Sequence, residues 1–409
     1  MIAESPTITQ PSPLAQPAFR RLWAGWTITA LAIQFYAVAL VWLVLVLTGS
    51  GAQLGTVMVA AAVPRAGAML VSGALIDRSQ PRLVLLGAGL ASAVLVGVLA
   101  ILLALDWLAF LALLAIAAAQ GLMDAFFYPA ATAQLARLVA PEQLTRANAL
   151  FQTSDSVANI VGPALGGMLV GAIGLVPAFT LNSALFALGA AVIARLRGPG
   201  TTVASGAPGE GFGPAIIEGL RYAWANPAIR VSLLMVAALN FAALGPSIVG
   251  GALLVERRFG GDATMYGWML AGYGVGALLG GLGAGWLPPL RRPGLLLAGL
   301  MGGMGIGMAL VGLAPAFWMV FTLQALMGIG VGIVSVTAIS WLQGRTAASM
   351  QGRMASLLIF SAVALDPFSN ALSGVLSEWS LAGLFLSAGA LMVATGALAL
   401  LSPAVRAEG

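Results

Sequence analysis

Residues 83–104 read LVLLGAGLASAVLVGVLAILLA, a run of 22 residues without a charged side chain. A membrane-spanning helix needs about 20 mostly apolar residues, so this run is long enough to cross a bilayer. The whole chain has the same character, because 60% of its 409 residues are apolar and only 8% are charged. Soluble proteins carry about 25% charged residues. The composition therefore predicts an all-α membrane protein that crosses the bilayer many times.

Twelve segments are long and apolar enough to be predicted as membrane spans. They lie near residues 22–47, 53–76, 83–104, 108–138, 147–171, 175–196, 228–254, 263–286, 294–313, 315–342, 353–376 and 380–402. Two of them, 108–138 and 315–342, are longer than a bilayer is thick, so we expect them to tilt or to extend beyond it.

A hydrophilic stretch divides the chain into two halves of six spans each. Residues 198–213 are rich in glycine, serine and proline and predict a flexible linker. Residues 214–226 predict a short amphipathic helix on the membrane surface. The predicted domains are an N-terminal tail (1–18), a six-helix bundle (19–197), the linker with its amphipathic helix (198–227), a second six-helix bundle (228–403) and a C-terminal tail (404–409).

The positions of the arginines predict the orientation of the chain in the membrane. Cytoplasmic loops of membrane proteins carry an excess of basic residues. With the N-terminus in the cytoplasm, 15 of the 18 basic residues, all arginines, lie on that side, Arg257 and Arg258 lie outside, and Arg65 lies within a span. We therefore expect a multi-pass protein of the cell membrane, surrounded by lipid, with both termini cytoplasmic. The net charge of +5 follows from this topology and does not indicate nucleic-acid binding.

The residue types that the chain lacks exclude most catalytic and metal sites. The sequence contains no cysteine, no histidine and no lysine. It therefore has no thiolate nucleophile, no imidazole base or ligand and no Schiff-base lysine. Its acidic residues are scattered over separate predicted helices. We expect no enzyme, no catalytic residues, no metal site and no cofactor.

The two halves resemble each other in sequence. Residues 159–169 (NIVGPALGGML) align with 366–376 (DPFSNALSGVL) at an offset of 207, and Arg146 aligns with Arg353 at the same offset. Duplicated six-helix halves with a central cavity between them occur in one class of secondary transporter. The repeat therefore favours a transporter.

Residues 73–82 (GALIDRSQPR) resemble the G-x-L-x-D-R-x-G-R-R signature of the major facilitator superfamily, and depart from it at positions 80 and 81. The resemblance implies that Asp77 caps the start of a helix from the other half and bonds an arginine, which closes a cytoplasmic gate. The alternative is a loop that merely follows the positive-inside rule. The predicted gate residues are Gly73, Asp77, Arg78, Arg82 and Arg137.

Three further motifs are similar to exporters of the same superfamily. Residues 162–167 (GPALGG) are similar to an exporter element, G-P-x-x-G-G, and residues 19–23 (FRRLW) and 125–130 (AFFYPA) resemble the branch that includes macrolide and siderophore exporters. The resemblance covers nearly the whole chain. It implies two pseudo-symmetric six-helix bundles, a cavity lined by the first, fourth, seventh and tenth spans, and a protein that works as a monomer.

Glycines predict a close contact between the fifth and eighth spans on the outer side. Glycine lets helix backbones approach closely, and proline bends a helix. In the fifth span the motif supplies Gly162, Pro163, Gly166 and Gly167. The predicted partner face on the eighth span consists of Gly272, Gly276 and Gly280.

Four ionisable side chains fall inside predicted spans, where a charge costs about 2.5–3.5 kcal/mol on insertion scales. They are Arg65, Asp124, Asp155 and Asp366. The spacing from cytoplasmic arginines places Arg65, Asp124 and Asp366 at one depth, and we expect Arg65 to pair with one of these carboxylates, preferentially Asp366. Asp155 is predicted to lie nearer the cytoplasm.

Polar side chains accompany these carboxylates at helical spacing and complete the predicted pathway. They are Gln34, Gln120, Tyr128 and Asn159. Asp124, on a helix expected to line the cavity, is the predicted proton-coupling group. The alternative is that these polar groups only hold the helices together by hydrogen bonds.

The leading hypothesis is a secondary transporter that exports amphipathic small molecules in exchange for protons. A cavity with few charges, a carboxylate in the membrane and adaptable methionine and aromatic side chains favour it. The alternatives are a carrier for metabolite uptake or facilitated diffusion and a lipid flippase, which would need a lateral opening between spans. An ion channel fits a duplicated bundle with one central cavity less well.

Overall fold

The computed structural model describes residues 12–196, 221–222, 224–286, 293–346 and 351–401. Nearly all of these residues are helical, and no strand occurs among them. The predicted linker 198–213, most of the predicted amphipathic helix 214–226 and the C-terminal tail lie outside the described residues. Of that predicted helix, residues 221–222 and 224–226 are described, and all of them except Asn226 are helical.

The first half contains six helices in an antiparallel series. They are α1 (Pro17–Thr48), α2 (Gly51–Asp77), α3 (Pro81–Ala104), α4 (Phe110–Leu138), α5 (Leu144–Ile173) and α6 (Leu175–Ala194). α1 ends at Gly49, whose φ of 59° requires the left-handed conformation that glycine adopts without strain. The Ser50 hydroxyl then accepts a hydrogen bond from the Gln53 N–H and caps the start of α2.

The second half repeats this series with two irregular helices. α7 begins as Pro227–Gly245 and continues through the π-helical segments Pro246–Gly250 and Leu254–Arg258, which flank Gly251–Leu253. The remaining helices are α8 (Ala263–Ala284), α9 (Pro293–Leu313), α10 (Phe317–Arg345), α11a (Gln351–Val363), α11b (Asp366–Trp379) and α12 (Leu381–Leu401).

Ten helices of the described chain are long and apolar enough to cross a membrane. α2 and the α11a–α11b pair complete the twelve predicted spans. The repeat is visible in the helix bounds, because α4 and α10 are both 29 residues long and begin 207 residues apart, at Phe110 and Phe317. The fold is the predicted all-α arrangement of two related six-helix halves.

The eleventh span differs from its prediction as one continuous segment, 353–376. It is broken at residues 364–365, and α11b restarts at Asp366. Pro367 explains the break, because it has no N–H to donate to the carbonyl of Val363, and its ring clashes with that carbonyl in a continuous helix. The corresponding part of α5 is unbroken.

The two halves meet at the helix ends remote from both termini, which we call the far side. The opposite end, where α1 begins and α12 ends, is the terminal side. α5 packs against α8, and α2 packs against α11b. A Cβ added at Gly55 of α2 would stand 2.7 Å from the carbonyl oxygen of Asn370 in α11b. Glycines at this interface therefore let the backbones of the two halves touch.

Candidate functional site

A cavity of about 700 Å³ lies between the two halves. Its walls come from α1, α2, α4 and α5 of the first half and from α7, α8, α10 and α11b of the second half. The predicted first, fourth, seventh and tenth spans all contribute, and four further helices join them. On the far side the backbones of the two halves touch, at Gly55 and Gly167, whereas on the terminal side the cavity-lining Gly281 has no described neighbour beyond its own helix within 4 Å of a Cβ position. In the part of the chain that the structure describes, the cavity is therefore closed on the far side and open on the terminal side.

The charged side chains that line the described cavity are Arg65, Asp124 and Asp366. Asp124 and Asp366 each interact electrostatically with Arg65, which links the two halves of the protein. No ion pair within 4.0 Å joins Arg65 to either carboxylate. The predicted common depth is consistent with this arrangement, in which Arg65 interacts with both carboxylates, and the preference for Asp366 stays a prediction.

Asp124 is held by a polar group behind the cavity wall. The amide of Gln120, which is buried, donates to the Asp124 carboxylate (3.3 Å) and to the Ser92 hydroxyl (3.1 Å). The Gln120 side chain therefore fixes the orientation of Asp124 and does not itself line the cavity. Its carbonyl oxygen has no partner among the described residues.

Two predicted amides line the cavity together. Gln34 of α1 donates a hydrogen bond to the side chain of Asn159 in α5, and Asn159 donates to the backbone carbonyl of Asp155. Both amides line the cavity, where Gln34 is half-buried and Asn159 is exposed. They place neutral donors and acceptors on the wall that faces the second half.

Asp155 and Tyr128 lie outside this lining. The Trp26 indole N–H donates to the Asp155 carboxylate at 2.8 Å, and the ring of Tyr128 contacts the Trp26 ring with centroids 6.1 Å apart. Asp155 therefore bonds a neighbouring helix, and its shallower depth stays a prediction. Tyr128 is 55% exposed and lies beside it.

Three of the five tyrosines of the chain line the cavity, and sequence reasoning missed all three. Tyr36 is buried, its hydroxyl has no hydrogen-bond partner among the described residues, and it interacts electrostatically with Asp124. Tyr266 and Tyr273 lie on the opposite wall in α8, and the Tyr266 hydroxyl donates to the carbonyl of Ile248 at 3.3 Å. The scarcity of tyrosine in the sequence was the available signal.

Of the predicted gate residues, Gly73, Arg78 and Arg82 show no hydrogen bond or ion pair to the second half in the parts that the structure describes. No described neighbour from another element lies within 4 Å of a Cβ position at Gly73, and Arg78 is exposed. Arg82 donates to the carbonyl of Ala194 at 2.6 Å, within its own half. The side chain of Asp77 lies outside the described residues, and Arg137 has an interaction of its own. The gate formed by Asp77 and Arg137 therefore stays a prediction.

The glycine contact between α5 and α8 is present, but it uses a different face of α8. Gly167 meets the backbone of Ala263 and Gly267, and Gly274 meets Asn159 and Ile160. The predicted face contacts α10 within the second half, where Gly272 meets Phe321, Gly276 meets Ala325 and Gly280 meets Ile329. In the motif itself Gly162 and Gly166 pack against α1, at Gln34 and Phe35, and the carbonyl of Pro163 faces Gly267. The reason is that α8 carries glycine on more than one face.

Similarity to known proteins extends over this whole arrangement. Residues 8–408 match a family described as transmembrane secretion effector. The chain is 28% identical over 389 residues to the multidrug efflux pump Tap of Mycolicibacterium fortuitum, covering 90% of this chain and 91% of that protein. It is 26% identical over 343 residues to macrolide efflux protein A of Streptococcus pyogenes, covering 83% and 84%.

Solved structures share the fold at low sequence identity. A bacterial homologue of the iron transporter ferroportin in its inward-facing state superimposes with a TM-score of 0.71 at 17% identity, over 93% of this chain and 98% of that one. A bacterial homologue of the lysosomal transporter Spinster gives a TM-score of 0.69 at 15% identity, over 98% of both chains. With the family match across nearly its full length, the chain belongs to the transmembrane secretion effector family, among the drug-exporter relatives of the major facilitator superfamily.

Proposed function

We propose that this transporter exports amphipathic small molecules from the cytoplasm in exchange for protons, by alternating access of the central cavity. The observation that carries the proposal is a cavity between the halves that, in the described part of the chain, is open on one side and has two carboxylates and one arginine on its wall. A proton-coupled carrier needs a titratable group that the substrate site exposes to each side in turn. The efflux relatives support the outward direction.

The wall chemistry supports an amphipathic substrate. Most of the lining is apolar, including Ile33, Val41 and Met58, while amides and phenols supply a few polar contacts. Ligand sites of this kind gain affinity from apolar area and orientation from a small number of polar groups. Methionine and tyrosine adapt to ligands of different shape without a fixed hydrogen-bond pattern.

The terminal side is proposed to be cytoplasmic, and single-cysteine labelling checks this orientation. Trp107, which is 72% exposed, follows α3 on the far side, and Trp286, which is 88% exposed, follows α8 on the terminal side. A membrane-impermeant maleimide should label Trp107→Cys in intact cells and Trp286→Cys only after permeabilisation. The chain has no native cysteine, so the unmodified protein is the background control. The reverse labelling pattern would contradict the proposed orientation.

Transport into inverted membrane vesicles tests the function itself. A panel of labelled amphipathic compounds is offered to vesicles with an imposed proton gradient, acidic inside, and labelled sugars and phosphorylated metabolites serve as the comparison set. We expect several amphipathic compounds to accumulate and a protonophore to abolish their accumulation. Accumulation that survives the protonophore would contradict proton coupling. Transport confined to the sugars and phosphorylated metabolites would identify a metabolite carrier instead.

A further inference from the structure

The end of α11b contacts the start of α2 through one carboxylate, that of Glu378. Its Oε1 accepts hydrogen bonds from the N–H of Gly51 (2.5 Å), from the N–H of Ala52 (3.3 Å) and from the hydroxyl of Ser50 (3.0 Å). Its Oε2 pairs with the guanidinium of Arg257 at 3.4 Å. All the residues that donate from α2 belong to the first half, whereas Glu378 and Arg257 belong to the second half.

The contact has the chemistry of a helix cap supplied by another part of the protein. The first N–H groups of a helix have no partner within it, and the helix dipole favours an anion at this end. Charge-assisted hydrogen bonds of this kind are about twice as strong as neutral ones. Ser50 caps α2 locally, and Glu378 adds a formal charge from across the interface.

Arg257 extends the same cluster to the end of α1. Its guanidinium donates to the carbonyl of Gly49 at 2.6 Å, one residue past the end of α1. The side chains of Arg257 and Glu378 are each 36% exposed, and an ion pair at that exposure contributes little by itself. The hydrogen bonds that cross between the halves therefore carry the interaction.

We propose that Glu378 is a positioning residue that holds the far side closed by capping α2 across the interface between the two halves. The proposal rests on the alternating-access function proposed above, because the cap must break whenever the cavity opens to the far side. The carboxylate touches neither the cavity nor its charged groups, so it acts on the balance between conformations and not on substrate binding. The geometry assigns it to the step in which the far side opens and closes.

A distance measurement across the far side tests the proposal. Leu105 directly follows α3 and Leu313 ends α9, so both lie at the far-side end of the third helix of their half, and they are 49% and 51% exposed. Spin labels on Leu105→Cys and Leu313→Cys report the separation of the halves by pulsed electron paramagnetic resonance. With Glu378→Gln, which keeps the shape and loses the charge, we expect the ratio of far-side-open to far-side-closed molecules to rise about tenfold.

Asp262→Asn is the matched control for the loss of a far-side carboxylate cap. Asp262 lies at the interface between the halves, with its Oδ2 3.0 Å from a Cβ position at Gly171, but the hydrogen bonds that it accepts come from its own half, from the N–H of Met265 and the hydroxyl of Thr264, each at 3.1 Å. We expect this variant to leave the distance distribution unchanged. An unchanged distribution for Glu378→Gln as well would overturn the proposal.

A charge swap separates the helix cap from the ion pair. In the double variant Glu378→Arg, Arg257→Glu, the ion pair is retained with reversed direction, but an arginine faces the N–H groups of α2. We expect the far side to remain open as in Glu378→Gln, and a return to the wild-type distances would overturn the cap.

A wild-type protein that stays closed on the far side under a proton gradient with substrate present would overturn alternating access. If Glu378→Gln shifts the distance but the wild-type protein shows no gradient-driven export, the cap is supported and only proton coupling is contradicted.

Discussion

Replacement of Asp124 by asparagine should abolish export driven by a proton gradient and leave passive exchange of substrate measurable. The asparagine keeps the size of the side chain and still accepts the hydrogen bond from Gln120, so the wall of the cavity is preserved. It cannot bind or release a proton. Export against a gradient should fall by at least about 100-fold, because the transporter could no longer carry a proton inward in each cycle. The measurement compares accumulation in energised vesicles with exchange in vesicles lacking a gradient.

The matched control is Asp155→Asn, which removes another membrane carboxylate outside the described cavity lining. Its partner, the Trp26 indole, donates equally well to an amide oxygen. We expect this variant to export within a few-fold of the wild-type rate. If Asp124→Asn still concentrates substrate, the coupling group is a different one, and Asp366, which also lines the cavity beside Arg65, becomes the candidate.

Replacement of Gly167 by leucine should also abolish transport, for a steric reason. A Cβ at this position would contact the backbone of Ala263 and stand 3.0 Å from the Cα of Gly267, and backbone atoms cannot move aside as a flexible side chain can. Overpacking costs about 1–3 kcal/mol. The cost applies only while the far side is closed, so the halves should separate there. We expect export to fall at least tenfold and the Leu105–Leu313 label distance to increase.

Two glycine variants distinguish this effect from general damage. Gly299 in α9 is exposed and has no described neighbour beyond its own helix within 4 Å of a Cβ, so Gly299→Leu should be silent. Gly276 meets the backbone of Ala325 within the second half, so Gly276→Leu should lower the melting temperature without changing the label distance. A Gly167→Leu variant that is unstable but unchanged in distance would contradict the steric account.

The helix count and the main charged groups of the cavity could be predicted from the sequence, because hydropathy and the cost of a membrane charge are local properties. Arg65, Asp124 and Asp366 were identifiable from that cost alone. The face of α8 that meets α5 was not, since glycines occur on several faces of that helix and only the packing decides between Gly267 and Gly276. Tyr36 was missed because a tyrosine carries no charge that would distinguish it from other apolar-looking residues of α1.

Contacts between polar groups that are distant in the sequence could not be predicted either. Glu378 reads as an acidic residue in a short loop, and nothing local indicates that it faces Gly51, which lies 327 residues away. The break in α11 had a local signal in Pro367. It was hidden because the fifth span, its sequence equivalent, also contains a proline, Pro163, and remains one helix.

The interruption of α11 at residues 364–365 gives the second half a joint that the first half lacks. α11b packs against α2, whereas α11a contacts α7 and lies toward the terminal side. A continuous helix would couple the two ends of the cavity, so that closure at one end forces opening at the other. With a joint, α11a can swing inward while α11b keeps its contact with α2. In the alternating access proposed above, the protein would then pass through an occluded intermediate, in which the substrate is sealed from both compartments and neither ion nor solute leaks through.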